Sequence, residues 1–211
     1  MVRNNHFTEN RKTLDKLLRS ENDEGGGIPL SDILVNMRFW ASVENVLIVV
    51  SDMGEGKSHI IAGGFARNLD IGEYRQENSI WESRILFLMS PEEQEDKYIA
   101  ELRFFHYLRH LPKNKKRDYY LMSKLRFRFT DGGIHDVLHR MYYIFDDEGE
   151  DLRYAICIYG PLPFDFKGKS FAVNSVTGIK EELTASGNDS ILSRRERQIL
   201  AMIDTGMKLS L

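Results

Sequence analysis

Arg126-Phe127-Arg128-Phe129-Thr130-Asp131-Gly132-Gly133-Ile134-His135-Asp136-Val137-Leu138-His139-Arg140-Met141-Tyr142-Tyr143-Ile144-Phe145-Asp146-Asp147-Glu148-Gly149 is the stretch that decides the fold. Thr130-Asp131-Gly132-Gly133 and Asp146-Asp147-Glu148-Gly149 are tight-turn chemistry between β-branched and aromatic runs. Each turn is flanked on both sides by such a run: 119–129, 134–145 and 152–159. Strands joined by turns this short pair antiparallel. The stretch therefore predicts a three-stranded meander closed by Gly160-Pro161.

Upstream, Val46–Val50 is a continuous apolar run, expected as a buried strand. Ser51-Asp52-Met53-Gly54-Glu55-Gly56-Lys57-Ser58 follows. Gly-Glu-Gly-Lys-Ser after a strand suggests a phosphate-cradling loop with Lys57 and Ser58 on the phosphates. Ser51 stands where that motif needs its first glycine, and 59–62 is short, β-branched and stopped by Gly63-Gly64. The competing reading is a hairpin with strands at 45–51 and 57–62. Residues 65–88 carry short helical pieces. Ser90-Pro91-Glu92-Glu93 opens a helix to about residue 111: serine cap, proline in the first turn, acids at the positive end. Tyr98, Leu102, Phe105 and Leu108 form its apolar face. The basic run 112–117 is expected as a solvated loop.

At the N-terminus, 7–20 reads as a short helix, 21–27 as a flexible link and 29–40 as a second helix. That second helix is either a dimerisation element or simply packed on its own domain. Residues 161–183 are expected to carry one more strand near 170–176, and 184–190 to form a polar linker.

The 211 residues carry 42% hydrophobic and 29% charged side chains, as an ordinary globular protein does. The net charge of −3 disfavours sequence-independent nucleic-acid binding. Cys157 is the one cysteine, so no intramolecular disulfide forms, which suits a reducing compartment. Neither a membrane-length apolar run nor a signal-peptide core is present, so the expectation is a cytoplasmic protein with no membrane partner.

Strand, strand, short helices, a longer helix and a meander give an α+β domain: a five-stranded antiparallel sheet with helices on one face. This order resembles the PAS fold over about residues 40–160. Arg126-x-Arg128-x-x-Asp131-Gly132, Val137-Leu138-x-Arg140 and Asp146-Asp147-x-Gly149 are similar to a run found in many PAS domains. The expected organisation is an N-terminal helical extension (1–39), a PAS-like sensor (40–160), a one-strand extension (161–183), a linker (184–190) and a C-terminal helical stub (191–211).

That stub reads Leu192-Ser193-Arg194-Arg195-Glu196-Arg197-Gln198-Ile199-Leu200, with Ile203 and Gly206 following. Ser193 and Glu196 form a capping box, and Gly206 is a C-terminal stop. The wording resembles the opening of the LuxR-type helix-turn-helix domain. The resemblance implies a bacterial transcription regulator whose output helix carries Ser193, Arg195, Glu196 and Arg197. It also implies a module incomplete at Leu211, with DNA contacted only through the complete module and not by this chain alone.

The pocket residues expected beneath such a sheet are Trp81, Phe105, His139, Tyr142 and Cys157. The aromatic residues of the meander either line a ligand cavity or fill the core. His106 and His110 lie four apart on the long helix, a spacing able to hold zinc. No third ligand follows nearby, so no metal site is assigned. No Ser/His/Asp order suggests catalysis, and the chain is expected not to be an enzyme. Three functions remain open. The first is a sensory domain, expected to pair with a second copy of itself, that couples a small molecule or protein to the helix-turn-helix. The second is a P-loop nucleotide-binding protein using Lys57 and Ser58. The third is an interaction module with a filled core. The sequence names neither the signal nor a cofactor.

Overall fold

The structure is a computed structural model that describes residues 27–146 and 151–183. The expected helix at 7–20, the linker and the output-helix residues Ser193, Arg195, Glu196 and Arg197 lie outside the described residues. In chain order the elements are α1 (Leu30–Glu44), β1 (Leu47–Asp52), β2 (Lys57–Ala62), a 3-10 turn (Gly64–Asn68) and β3 (Gln76–Glu77). Then come α2 (Ser83–Leu86), α3 (Pro91–Arg109), α4 (Lys113–Lys116), β4 (Tyr119–Arg128), β5 (Ile134–Phe145), β6 (Leu152–Pro161), β7 (Ser170–Asn174) and β8 (Lys180–Glu182).

All eight strands join one antiparallel sheet in the order β3-β2-β1-β6-β5-β4-β7-β8. The five expected strands are contiguous at its centre, β2-β1-β6-β5-β4. The expected count of five is corrected to eight. β7, anticipated as the one strand of the 161–183 extension, continues the sheet beside β4, with Leu121 opposite Ala172. β3 is two residues long, too short to show a period. β8 is Lys180-Glu181-Glu182, all exposed, with no apolar alternation to announce it. Charges on an outermost strand discourage further pairing, which is how edges are commonly protected.

The phosphate-loop reading is overturned. Lys57–Ala62 is a strand, paired with β1 through Ser51–Ser58 and Asp52–Lys57. Gly56 turns the hairpin at φ 64°, and the Asp52 carboxylate accepts the Glu55 N–H at 3.0 Å. The glycines serve a reversal of the chain. Ser58 is buried against the Ser51 hydroxyl, and Lys57 pairs with Glu55 at the surface. Neither is free to hold a phosphate.

Helices lie on both faces of the sheet, not on one. α2, α3 and the 3-10 turn cover the face formed by Leu47, Val49, Leu121, Leu125, Phe127, Val137, Met141, Tyr143, Cys157 and Tyr159. The other face carries Ile48, Val50, Tyr154, Ile156 and Ile158, against which α1 packs Ile33 and Ala41. β1 is therefore buried at every position, which explains its unbroken apolar run. α1 ends at Asn45, in the left-handed conformation (φ 57°) that an asparagine tolerates. Glu44 pairs with Arg140 of β5, tying α1 to the sheet.

α3 starts as its sequence dictates. The Ser90 hydroxyl accepts the Glu93 N–H at 3.2 Å with Pro91 at the first helical position. Tyr98, Leu102, Phe105 and Leu108 are all buried. The expected basic loop after it contains α4, whose Lys116 is buried with its ammonium 4.6 Å from the Phe145 ring centre. No helix among the described residues is long and apolar enough to cross a membrane.

Candidate functional site: a charged network in the core

Lys97, Glu101, Phe104 and Leu108 follow one another at helical spacing on α3, and all four are buried against the sheet. Two charged residues thus occupy a stripe that is otherwise core. Lys97 Nζ lies 2.6 Å from Glu101 Oε1 and 3.1 Å from Glu82 Oε1. Glu82 immediately precedes α2 and accepts the Tyr159 hydroxyl at 2.6 Å. The three side chains are between 2% and 8% exposed, so the attraction acts away from water.

The strands supply the rest. Sheet register puts His139 opposite both Ser123 and Tyr159, and Met141 opposite Cys157. The Ser123 hydroxyl sits 3.0 Å from His139 Nδ1, and the His139 ring stacks on Tyr159 at 5.0 Å. His139 Nε2 has no hydrogen-bond partner and lies 3.9 Å from Glu101 Oε1. A Glu101 carboxylate oxygen, one imidazole nitrogen of His139 and Cys157 Sγ all fall within 4.8 Å of one another.

Burial governs the charge states here. It depresses His139 well below its ordinary value, with the Lys97 charge adding to the effect, so the imidazole is neutral. Burial pushes the Cys157 thiol well up, Lys97 opposing. Burial also opposes the charge on Glu82, but Lys97 and the Tyr159 hydroxyl outweigh it and hold that carboxyl below its usual value. Glu101 is raised, by burial and by the Glu82 charge, against the pull of Lys97. Lys97 stays firmly protonated because the two carboxylates outweigh its own desolvation.

The five residues expected to line a pocket divide. Trp81 and Cys157 line a void beside this network together with Lys97, Glu101 and Tyr143. His139 borders the same cluster. Phe105 packs edge-on against Tyr143 at 5.8 Å, a layer away. Tyr142 is corrected to the opposite face, where it stacks on Tyr120 at 5.2 Å and packs on the α1 side. It alternates with Met141 and Tyr143, and strand alternation leaves it no other direction. The void itself is about 20 Å³, room for about one water molecule. Of the meander aromatic residues on this side, Phe127, Tyr143 and Tyr159 fill the core, and Tyr119, Phe129 and Phe145 pack at its margin.

Lys97, Glu101, Glu82 and Ser123 were not singled out in the sequence. The detectable signal was the helical stripe 97–101–104–108, with two charges in line with two apolar residues. His106 is buried, and His110 Nδ1 bonds the His106 carbonyl at 2.8 Å, so that pair points to no shared ion.

Ser123, His139 and Glu101 stand in the spatial order of an acyl-transfer triad, but only Ser123 and His139 are hydrogen-bonded, and the 3.9 Å from His139 Nε2 to Glu101 Oε1 is too long for a hydrogen bond. Ser123 is 2% and His139 0% exposed, so no substrate carbonyl reaches the serine oxygen. A larger cleft of about 480 Å³ opens at the surface beside Asn45, Gly63, Arg67 and Arg75, and shares no residue with the network.

Neither a family model nor a curated protein sequence matches this chain. Among solved structures it is similar to a sensory box histidine kinase/response regulator from Burkholderia thailandensis. There the identity is 14% and the TM-score 0.36, over 59% of this chain and 82% of the other. It is also similar to the PAS domain of a protein from Colwellia psychrerythraea. There the identity is 15% and the TM-score 0.39, over 61% of this chain and 97% of the other. At such identities and scores the likeness stands as similarity alone. The PAS-like description rests on the central strand order and on the helices packed beneath it.

Proposed function

We propose that this chain is a non-catalytic, cytoplasmic sensory module of a transcription regulator, working as a homodimer. The observation that carries the reading is the core. A PAS-like sheet covers a buried Glu82–Lys97–Glu101 network, with no exposed nucleophile beside it and a void of about 20 Å³. An organic ligand of ordinary size needs roughly 300 Å³ or more. The core therefore takes an input no larger than an ion or a water-sized species, and any larger input, a protein partner above all, binds at the surface. The tail from Leu192 to Gly206, by its LuxR-type wording, is the route to DNA through a complete helix-turn-helix.

The dimer reading draws on α1. Val35, Phe39 and Val43 recur every four residues on its outer side and are 62%, 65% and 57% exposed, with Trp40 beside them. A helix apolar on both sides is expected to be covered on both. Light scattering on the purified chain tests this, with a dimer expected and Phe39→Glu returning a monomer. A wild-type monomer at micromolar concentration overturns the dimer. For the regulatory role, transcript levels in the native host are compared with the gene intact, deleted or carrying Phe39→Glu. Unchanged transcripts on deletion overturn it.

A further inference from the structure

We propose that Glu101, His139 and Cys157 form a binding site for one borderline divalent transition metal ion, of the zinc, cobalt or ferrous class. One carboxylate oxygen, one imidazole nitrogen and one thiol sulfur converge within 4.8 Å from three different elements, α3, β5 and β6. Donors on one tetrahedral ion sit roughly 3.3–3.7 Å apart, given bonds of roughly 2.0–2.3 Å. Side-chain shifts of about 1 Å close the difference.

The histidine is prepared for this role. Its Nδ1 is engaged by the Ser123 hydroxyl at 3.0 Å, which fixes the ring and directs Nε2 at the carboxylate. Nε2 is fully buried and lacks a hydrogen-bond partner. An orphaned buried nitrogen is costly, and metal ligation is one of the few arrangements that answers it. An imidazole held through its other nitrogen is the usual orientation of a metal-bound histidine.

Charge and space agree with the donors. Lys97 is the obvious obstacle, since it lies 2.6 Å from Glu101 Oε1. Glu82 already matches the Lys97 charge, at 3.1 Å. The Glu101 carboxylate and a Cys157 thiolate then together carry the two negative charges that a divalent cation neutralises. The Cys157 proton leaves to solvent as the sulfur–metal bond forms. The adjoining void of about 20 Å³ takes one water as the fourth ligand. Thiolate and imidazole exclude the hard cations magnesium and calcium, which prefer all-oxygen sites.

This assignment stands on the geometry of the core and is independent of the sensory reading, which survives its failure. The test is cobalt(II) added to the full chain, both folded and during refolding, followed by absorption. Cys157 is the one cysteine, so a thiolate-to-cobalt charge-transfer band reports that residue alone. One equivalent per chain is expected, with the band lost on adding zinc and retained in excess calcium. Ser123→Ala, with its native fold checked by circular dichroism, is expected to weaken binding roughly 10–100-fold, the usual effect of removing a ligand's support. Cys157→Ala removes the band. Absence of the band after both loading routes overturns the site. Cobalt affinity, measured by competition with a chromogenic chelator, that is unchanged in Cys157→Ala overturns the three-donor assignment, and affinity unchanged in Ser123→Ala overturns the positioning role of Ser123.

Discussion

Lys97 is the residue on which the core's electrostatics turn. It is 2% exposed and holds two carboxylates that have no other cation within bonding distance among the described residues. Removing it strands buried negative charge, whereas replacing the whole group by apolar side chains does not. Lys97→Met is accordingly expected to destabilise the fold by about 3–5 kcal/mol. The triple replacement of Lys97, Glu82 and Glu101 by methionine is expected to recover most of that loss. Urea denaturation of the two variants measures the difference, and equal losses in both would show that the charges are not acting as a unit. The acid limb has a definite sign. Glu82 is held below its ordinary 4.5, so its contribution is complete above that value and is lost as the pH falls below it. Glu101 is raised instead, so well below pH 4.5 it carries its proton both folded and unfolded and drops out; there the melting temperature is expected to fall more steeply with pH in the wild type than in the triple variant.

At the scale of elements, the joint between β2 and the 3-10 turn is closely packed against the backbone of its neighbours. A Cβ on Gly63 would lie 2.2 Å from the Ala41 carbonyl oxygen and 2.4 Å from that of Val46. Both neighbours are backbone, so neither yields by rotating a side chain. Gly63→Ala is expected to cost about 1–3 kcal/mol, the usual range for overpacking, measurable by thermal unfolding. A native melting temperature in that variant would mean that α1 slides on the sheet. The cap of α3 is a milder case. Ser90→Ala leaves the Glu93 N–H without its partner and is expected to cost about 1 kcal/mol.

For the whole molecule, the sheet is covered on both faces, yet the outer side of α1 presents Val35, Phe39, Trp40 and Val43 to solvent. The dimer expected from this face makes stability depend on protein concentration, because association favours the folded form. Melting temperature is expected to rise with concentration for the wild type and to stay constant for Phe39→Glu. The opposite end of the sheet, at β8, carries Lys180, Glu181 and Glu182 and is not a pairing edge.

Local signals were enough to determine the meander and α3, whereas the β1–β2 hairpin was decided against a phosphate loop by its pairing in the sheet. Turn chemistry at Asp131-Gly132-Gly133, strand alternation and the Ser90-Pro91 start act within a few residues of where they stand. They do not depend on what packs above them. The eight-strand count, the second covered face and the placement of Tyr142 were decided by tertiary structure. β3 and β8 pair only because a neighbouring edge is there, and Tyr142 takes its side from the register of the whole β5–β6 ladder. The charged network lay furthest from reach. Lys97 and Glu101 announce themselves as a solvated helical pair, the ordinary fate of such residues. Only the fold brings Glu82, from 15 residues upstream, and His139 and Cys157, from strands far along the chain, to the same point and excludes water from it. Burial, which belongs to no single segment of sequence, is what turns a surface ion pair into a core charge cluster.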